Sequence, residues 1–270
     1  MPDLWANDMF VADLKKDLGE NKHKNTKFSK MMFKYGRLIL VNKLLDVKKG
    51  DIVLDIGCAD GFLLGYHQDL ISPFGVDISK TMIKNARKNV VDGAFFISTM
   101  ENLPFKEETF DKIVAVYSFI YSDNKHTAIK EISRVLKNGG SFIVYDPNKL
   151  SLRTFIRLIQ SLKFRLMRET ENSRYFHHRF VTKNALTYWK FKEMGKSSGF
   201  ILKEWYGIFS LHLILQSTLF HSVLDTLKYK KWGSLPLLKY FSDFLIIQYI
   251  KLGDSSKTTT KINSCDRTGE

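Results

Sequence analysis

Apolar and polar positions change period several times along the chain, and each change marks an element. Residues 28–45 carry apolar side chains at helical spacing, among them Met32, Leu38, Ile39, Val41, Leu44 and Leu45. Lys48-Lys49-Gly50-Asp51 then reads as a turn into a short apolar strand over 52–56. The pattern that follows predicts a helix over 62–68, a strand over 74–77 and a helix over 80–89 capped by Ser79. Strands over 94–97 and 110–116 come next. A helix over 127–136 ends at Asn138-Gly139-Gly140, and a strand over 141–145 stops at Pro147. Short apolar strands alternating with helices predict a parallel, doubly wound α/β sheet.

The alternation breaks at Leu150. Leu152, Phe155, Ile156, Ile159 and Leu162 fall on one helical face, with Arg153, Arg157, Lys163, Arg165 and Arg168 on much of the remainder. Residues 180–195 contain another helix, with Thr182 as its candidate cap. Residues 200–206 and 244–250 read as strands, with helical segments over 211–227 and 235–240 between them. Five regions result: a helical segment (1–50), a strand-rich core (51–148), a basic helical insertion (149–199), two closing strands with their own helical insertion (200–252) and a polar, disordered tail (253–270).

Composition narrows the class. A chain of 270 residues can bury one large core with an appended subdomain. The charged N-terminus has no apolar core segment of the kind a secretory leader carries. Two cysteines, Cys58 and Cys265, give neither a disulfide framework nor metal-ligand spacing, which fits a reducing cytoplasm and no metal. Residues 205–224 hold no Asp, Glu, Lys or Arg, but Ser210, His212, Gln216, Ser217, Thr218, His221 and Ser222 dilute the stretch too far for a membrane span. The net charge of +14 is uneven: residues 149–203 hold 13 Lys/Arg against 3 Asp/Glu. That excess suits an anionic substrate, a membrane surface or nucleic acid, and equally a solvated lysine-rich face.

The most informative stretch is Val53-Leu54-Asp55-Ile56-Gly57-Cys58-Ala59-Asp60-Gly61. It reads as a buried strand turning through glycines into a helix, where the backbone can approach a ligand closely. The glycine spacing is G-x-x-x-G, so the dinucleotide fingerprint G-x-G-x-x-G is not met. Asp55 to Gly61 resembles the D-x-G-x-G-x-G signature of class I S-adenosylmethionine (SAM) methyltransferases of the type 11-like, small-molecule branch, with Ala59 in place of the middle glycine. Thr99-Met100-Glu101-Asn102-Leu103-Pro104-Phe105 is similar to the family's D-A-E-N-L-P-F block, with Thr99 where relatives often carry Asp. Leu136-Lys137-Asn138-Gly139-Gly140 is similar to its L-K-P-G-G turn.

The resemblance implies a Rossmann-like seven-stranded sheet closed by an antiparallel hairpin and capped by a helical lid. It also implies SAM as cofactor, with S-adenosylhomocysteine (SAH) as product. Gly57, Cys58, Ala59 and Gly61 would cradle the methionine end, which Asp55 helps orient. Asp77 would take the ribose hydroxyls, and Ile78 and Met82 would pack near the adenine. Thr99 with the backbone of Met100 and Glu101 would meet the adenine amine. Ala115, Val116 and Tyr117 would lie near the sulfonium. Relatives often carry a histidine pair where Ile120 and Tyr121 stand here. Candidate catalytic groups are therefore His177, His178 and Tyr121.

The expected activity is methyl transfer to oxygen or nitrogen of a small molecule, anionic or apolar, by in-line displacement. The alternatives are methylation of RNA or another nucleic acid, and SAM binding by a non-catalytic partner protein. Ala115-Val116-Tyr117-Ser118 stands where base-amine methyltransferases carry an Asn/Asp-Pro-Pro-aromatic motif, and no Pro-Cys motif is present, so nucleic acid is disfavoured. Peripheral membrane contact through the basic segment stays open.

Overall fold

The structure, a computed structural model, describes residues 40–151, 183–208 and 238–253. The chain divides into two compact units, Met1–Lys43 and Leu44–Glu270. The sheet belongs to the second. Its strands are β1 (Ile52–Ile56), β2 (Ser72–Asp77), β3 (Ala94–Ile97), β4 (Phe110–Val116), β5 (Leu136–Pro147), β6 (Phe200–Ile208) and β7 (Phe244–Lys251). They lie in the order β3-β2-β1-β4-β5-β7-β6. The first five are parallel, and β7 runs antiparallel to both β5 and β6. The expected doubly wound, seven-stranded α/β sheet with its closing antiparallel pair is what forms.

The central strands are apolar on both faces because helices cover them. Val53, Leu54 and Ile56 of β1 and Ile113, Val114 and Ala115 of β4 are all buried. The helices whose full range is described include α1 (Phe62–His67), α2 (Lys80–Asn89), α3 (Lys125–Val135) and α4 (Tyr188–Ser197). Helix α2 buries Ile83 and Ala86 one turn apart, and α3 buries Ala128, Ile129, Ile132 and Val135. This is the apolar stripe that helical period dictates. The Ser79 hydroxyl accepts the Met82 N–H at 3.3 Å, so the cap expected for α2 is present.

Several boundaries differ from the expectations. Helix α3 begins at Lys125, two residues earlier than 127, because the Asn124 side chain caps it by accepting the Thr127 N–H at 3.1 Å. Leu136 belongs to β5 instead, and Asn138-Gly139-Gly140 is a bulge inside that strand. Phe110 pairs with Leu136 and Lys112 with Ser141, so 137–140 loop out of the ladder. Helix α4 starts at Tyr188, where the Thr187 hydroxyl accepts the Lys190 N–H at 3.2 Å. The candidate cap Thr182 lies outside the described residues.

The helix expected to reach Tyr240 is a 3-10 turn over Leu238–Phe241 in its described part. The Asn148 side-chain amide donates to the carbonyls of Tyr240 and Ser242 at 2.8 and 2.9 Å, which withdraws those acceptors from α-helical bonding. The helical readings over 28–39, 152–162 and 211–227, and the tail beyond Gly253, lie outside the described residues. Residues 205–208 of the uncharged stretch lie in β6. No described helix is long and apolar enough to cross a membrane.

Candidate active site

In an open parallel sheet, ligands bind beyond the carboxyl ends of the strands where the strand order reverses. Here the reversal falls between β1 and β4. The exits of these two strands are bound to each other. The Ser118 hydroxyl, just past β4, donates to the Ile56 carbonyl at 2.5 Å. Gly57 has φ +76, and a Cβ there would sit 2.4 Å from the Ser118 Cβ. Only glycine meets both demands. Gly61, at φ +80, packs against Ala86 and Val90 of the α2 region in the same way. Between them Ala59 holds φ 48 despite its side chain. It therefore adopts the left-handed backbone that the missing family glycine would supply more cheaply.

Two carboxylates flank this turn. The Asp77 side chain, at the end of β2, accepts the Ala59 N–H at 3.0 Å on one oxygen and the Ser79 N–H at 2.8 Å on the other. Each carboxylate oxygen keeps a second lone pair, enough for two further donors. Beside it Ile78 and Met82 are 73% and 38% exposed, an apolar surface next to a charged group. Asp55, in β1, is buried, and its Oδ1 has no hydrogen-bond partner among the described residues. Burial, with the Asp77 charge adding to it, pushes the Asp55 carboxyl up to about 7. Burial likewise pushes the Cys58 thiol up, so it packs the turn as a small apolar group.

The third wall is the loop after β3. Thr99 is exposed there, and Met100 is partly buried. Glu101 does something the sequence does not announce. Its Oε1 accepts the Ser122 hydroxyl at 2.5 Å and the N–H groups of Asp123 and Asn124 at 3.0 and 3.3 Å. Burial alone would raise this carboxyl, but the Ser122 hydroxyl and the backbone amides hold it below its usual value. The side chain thus fastens the loop to the turn that leads into α3.

Past Ala115 and Val116, Tyr117 has φ 56, an uncommon conformation for a bulky residue. Its N–H donates to the Tyr145 carbonyl at 2.7 Å. The rings of Tyr117 and Tyr145 lie 5.9 and 5.4 Å from that of Phe244. Tyr121 follows on the 3-10 turn Phe119–Tyr121 and is 51% exposed. Burial, with the Asp146 charge, holds its phenol above the usual value. His177 and His178 lie outside the described residues. Among the described residues no His/Cys/Asp/Glu group could hold a metal ion.

The chain matches a family model, described as a methyltransferase domain, over residues 54–144. Residues 54–144 are thus similar to a methyltransferase domain. An uncharacterised protein of Methanocaldococcus jannaschii is 33% identical to the chain over 144 residues, covering 52% of this chain and 55% of that protein. The ubiquinone/menaquinone biosynthesis C-methyltransferase of Pseudomonas aeruginosa is 29% identical over 135 residues, covering 46% of this chain and 53% of its own. These matches span about half the length of either relative. The crystal structure of the YcgJ protein from Bacillus subtilis shares the fold at a TM-score of 0.55 and 18% identity, covering 81% of this chain and 99% of that one.

SAM is the donor that this similarity implies, and the residues present fit it. The partnerless, buried Asp55 Oδ1 suits a cationic amino group at the methionine end. Asp77 retains lone pairs for a diol. Ile78 and Met82 offer exposed apolar surface for a flat base. The structure therefore brings Asp55, Gly57, Cys58, Ala59, Gly61, Asp77, Ile78 and Met82 around one strand switch, with Ala115, Val116 and Tyr117 at the neighbouring exit. Ser118 was not among the residues singled out from the sequence. Its one signal is position: it lies two residues past the end of β4, where a small hydroxyl can reach across to β1.

Proposed function

We propose that this chain transfers the methyl group of SAM to an oxygen or nitrogen of a small-molecule acceptor. The observation that carries the reading is Tyr117, half-buried and left-handed at the β4 exit next to the glycine turn, with Tyr145 and Phe244 buried behind it. An aromatic ring at that exit suits a compact, partly apolar acceptor. The Pseudomonas relative is named for a step of quinone biosynthesis, which also favours a small acceptor.

Bound SAM supplies an electrophilic methyl group, and the chain's part is to hold and orient. Gly57 to Gly61, Asp55 and Asp77 position the donor. Thr99, Met100 and Glu101 border its base, the last through its backbone. Positioning of this kind accounts for much of the rate gain in bimolecular transfers. Tyr121, its phenol held above the usual value, would donate a hydrogen bond to the acceptor. His177 and His178 are retained as candidate bases for an acceptor that must lose a proton. The cysteine usage favours a cytoplasmic setting. The basic 149–203 segment favours an anionic acceptor or peripheral contact with an anionic membrane.

The test supplies SAM labelled in its methyl group together with separated small-molecule, RNA and protein fractions of a cell extract. Label in the small-molecule fraction supports the proposal. Label in RNA moves the assignment to nucleic acid. Tight SAM binding with no label anywhere favours a non-catalytic partner.

A further inference from the structure

Asp146 is the last residue but one of β5, and it is 2% exposed. Its Oδ1 has no hydrogen-bond partner among the described residues. Strand alternation places it on the face of β5 shared with Phe142 and Val144, toward α3, while Tyr145 points to the other face. The groups around it are few. The Ile120 backbone amide donates to it, and the Lys125 ammonium lies within electrostatic range. Tyr121 senses its charge. Lys125 is committed elsewhere, since its Nζ donates to the carbonyls of Ile120 and Ser122 at 3.3 and 3.1 Å. Burial holds the Asp146 carboxyl well above its usual value despite Lys125 and the Ile120 amide.

Ile120 answers one oxygen and Lys125 answers the charge, which leaves Oδ1 as the group with no partner among the described residues. Its location supplies a use. Tyr117 leaves β4 bonded to the carbonyl of Tyr145, and Asp146 is the next residue. Neighbouring strands lie about 4.8 Å apart. Across the sheet edge the sequence of exits is therefore Gly57, then Tyr117 and Ser118, then Asp146. The donor turn lies on one side of the β4 exit and the partnerless carboxyl oxygen on the other.

We infer that Asp146 is the recognition group of the acceptor subsite and binds an N–H or O–H donor head group through Oδ1. This rests on the methyltransferase reading and deepens it: the acceptor is chosen for a hydrogen-bond-donating head. Glu101 and Asp123, on the loops packed beside Lys125, add negative charge to the same corner of a chain that is otherwise strongly basic.

The test is a titration of isotope-labelled protein saturated with SAH, followed by nuclear magnetic resonance at the Asp146 side-chain carbon and the Ile120 amide. Methylammonium and phenol serve as the amine and hydroxyl probes. A saturable shift at both reporters with either probe is expected, and the active probe names the head group. In Asp146→Asn, which keeps an acceptor for Ile120, the Ile120 response should be lost while SAH still binds. If Asp146→Asn does not fold, the wild-type carbon resonance decides alone. No shift with either probe, or an Ile120 response that persists in Asp146→Asn, overturns the inference. Failure of SAH to bind would instead strike the methyltransferase reading, and the same titration of the free protein still judges Asp146.

Discussion

The Asp77 carboxylate, at the end of β2, accepts the backbone N–H of Ala59 at 3.0 Å in the turn beyond β1. One side chain therefore fixes the left-handed Ala59 and, under the proposed function, would also take the donor's sugar. Asp77→Ala should weaken SAM binding by about 2 kcal/mol or more, because a charge-assisted pair is lost. Asp77→Asn should fall between, since an amide oxygen can still hold Ala59. Calorimetry with SAM reads both, and unchanged affinity in Asp77→Ala would remove this residue from the site.

Asp55 predicts a pH dependence. Its carboxyl titrates near 7 in the folded chain against 3.8 ordinarily, so it is largely neutral at acidic pH. A cationic ligand beside it favours the charged form. Binding then releases a proton, and SAM affinity should rise by about tenfold per unit as pH climbs toward 7, then level off. Asp55→Asn should flatten that profile. Without ligand the sign is opposite for stability. A raised folded value contributes stability below the unfolded value that is lost as pH rises through about 7. Melting temperatures with and without SAM should therefore diverge most above neutrality.

The Ser118 to Ile56 bond couples the two exits at the strand switch. Ser118→Ala should lower unfolding stability by about 1 kcal/mol, the usual worth of one buried hydrogen bond. Gly57→Ala should cost more, because it adds a clash with Ser118 to a left-handed backbone. Pairing it with Ser118→Gly should recover part of that loss and leave the backbone strain. Denaturant titration of the four chains separates the two effects.

Glu101 organises three donors with one oxygen. Glu101→Ala should destabilise the fold by about 2 kcal/mol by stranding the Ser122 hydroxyl and loosening the start of α3. Its carboxyl sits below the usual value, so the stability it lends is present at neutral pH and lost as pH falls through the folded value. Glu101→Ala should accordingly show a flatter acid-unfolding curve.

Much of this was legible in the chain. Strands β1, β3 and β4 match their expected limits because short apolar runs bounded by turn residues leave one reading. The donor turn was legible because its glycines answer backbone geometry, which is a local property. What escaped depends on distant partners. The helix expected to reach Tyr240 is a 3-10 turn there because Asn148, far away in sequence, takes its carbonyls. Glu101 looks like one more loop residue until Ser122 to Asn124 are brought beside it. Asp146 looked like the end of a strand stopped by proline, since burial of a single acid at an exit leaves no periodic trace.

The sheet order carries a consequence for how the chain is made. Strand β6 emerges before β7, yet its one neighbour among the described strands is β7, which slots between it and β5. Until Phe244–Lys251 has left the ribosome, β6 has no partner strand among the described residues, and the β5 edge lacks the strand that covers it. Five strands can assemble early, while the ring packing of Phe244 behind Tyr117 waits for the last. Nascent chains arrested before β7 should hold the Gly57–Gly61 turn and lack that packing, so under the proposed function the donor site would form before the acceptor site during synthesis.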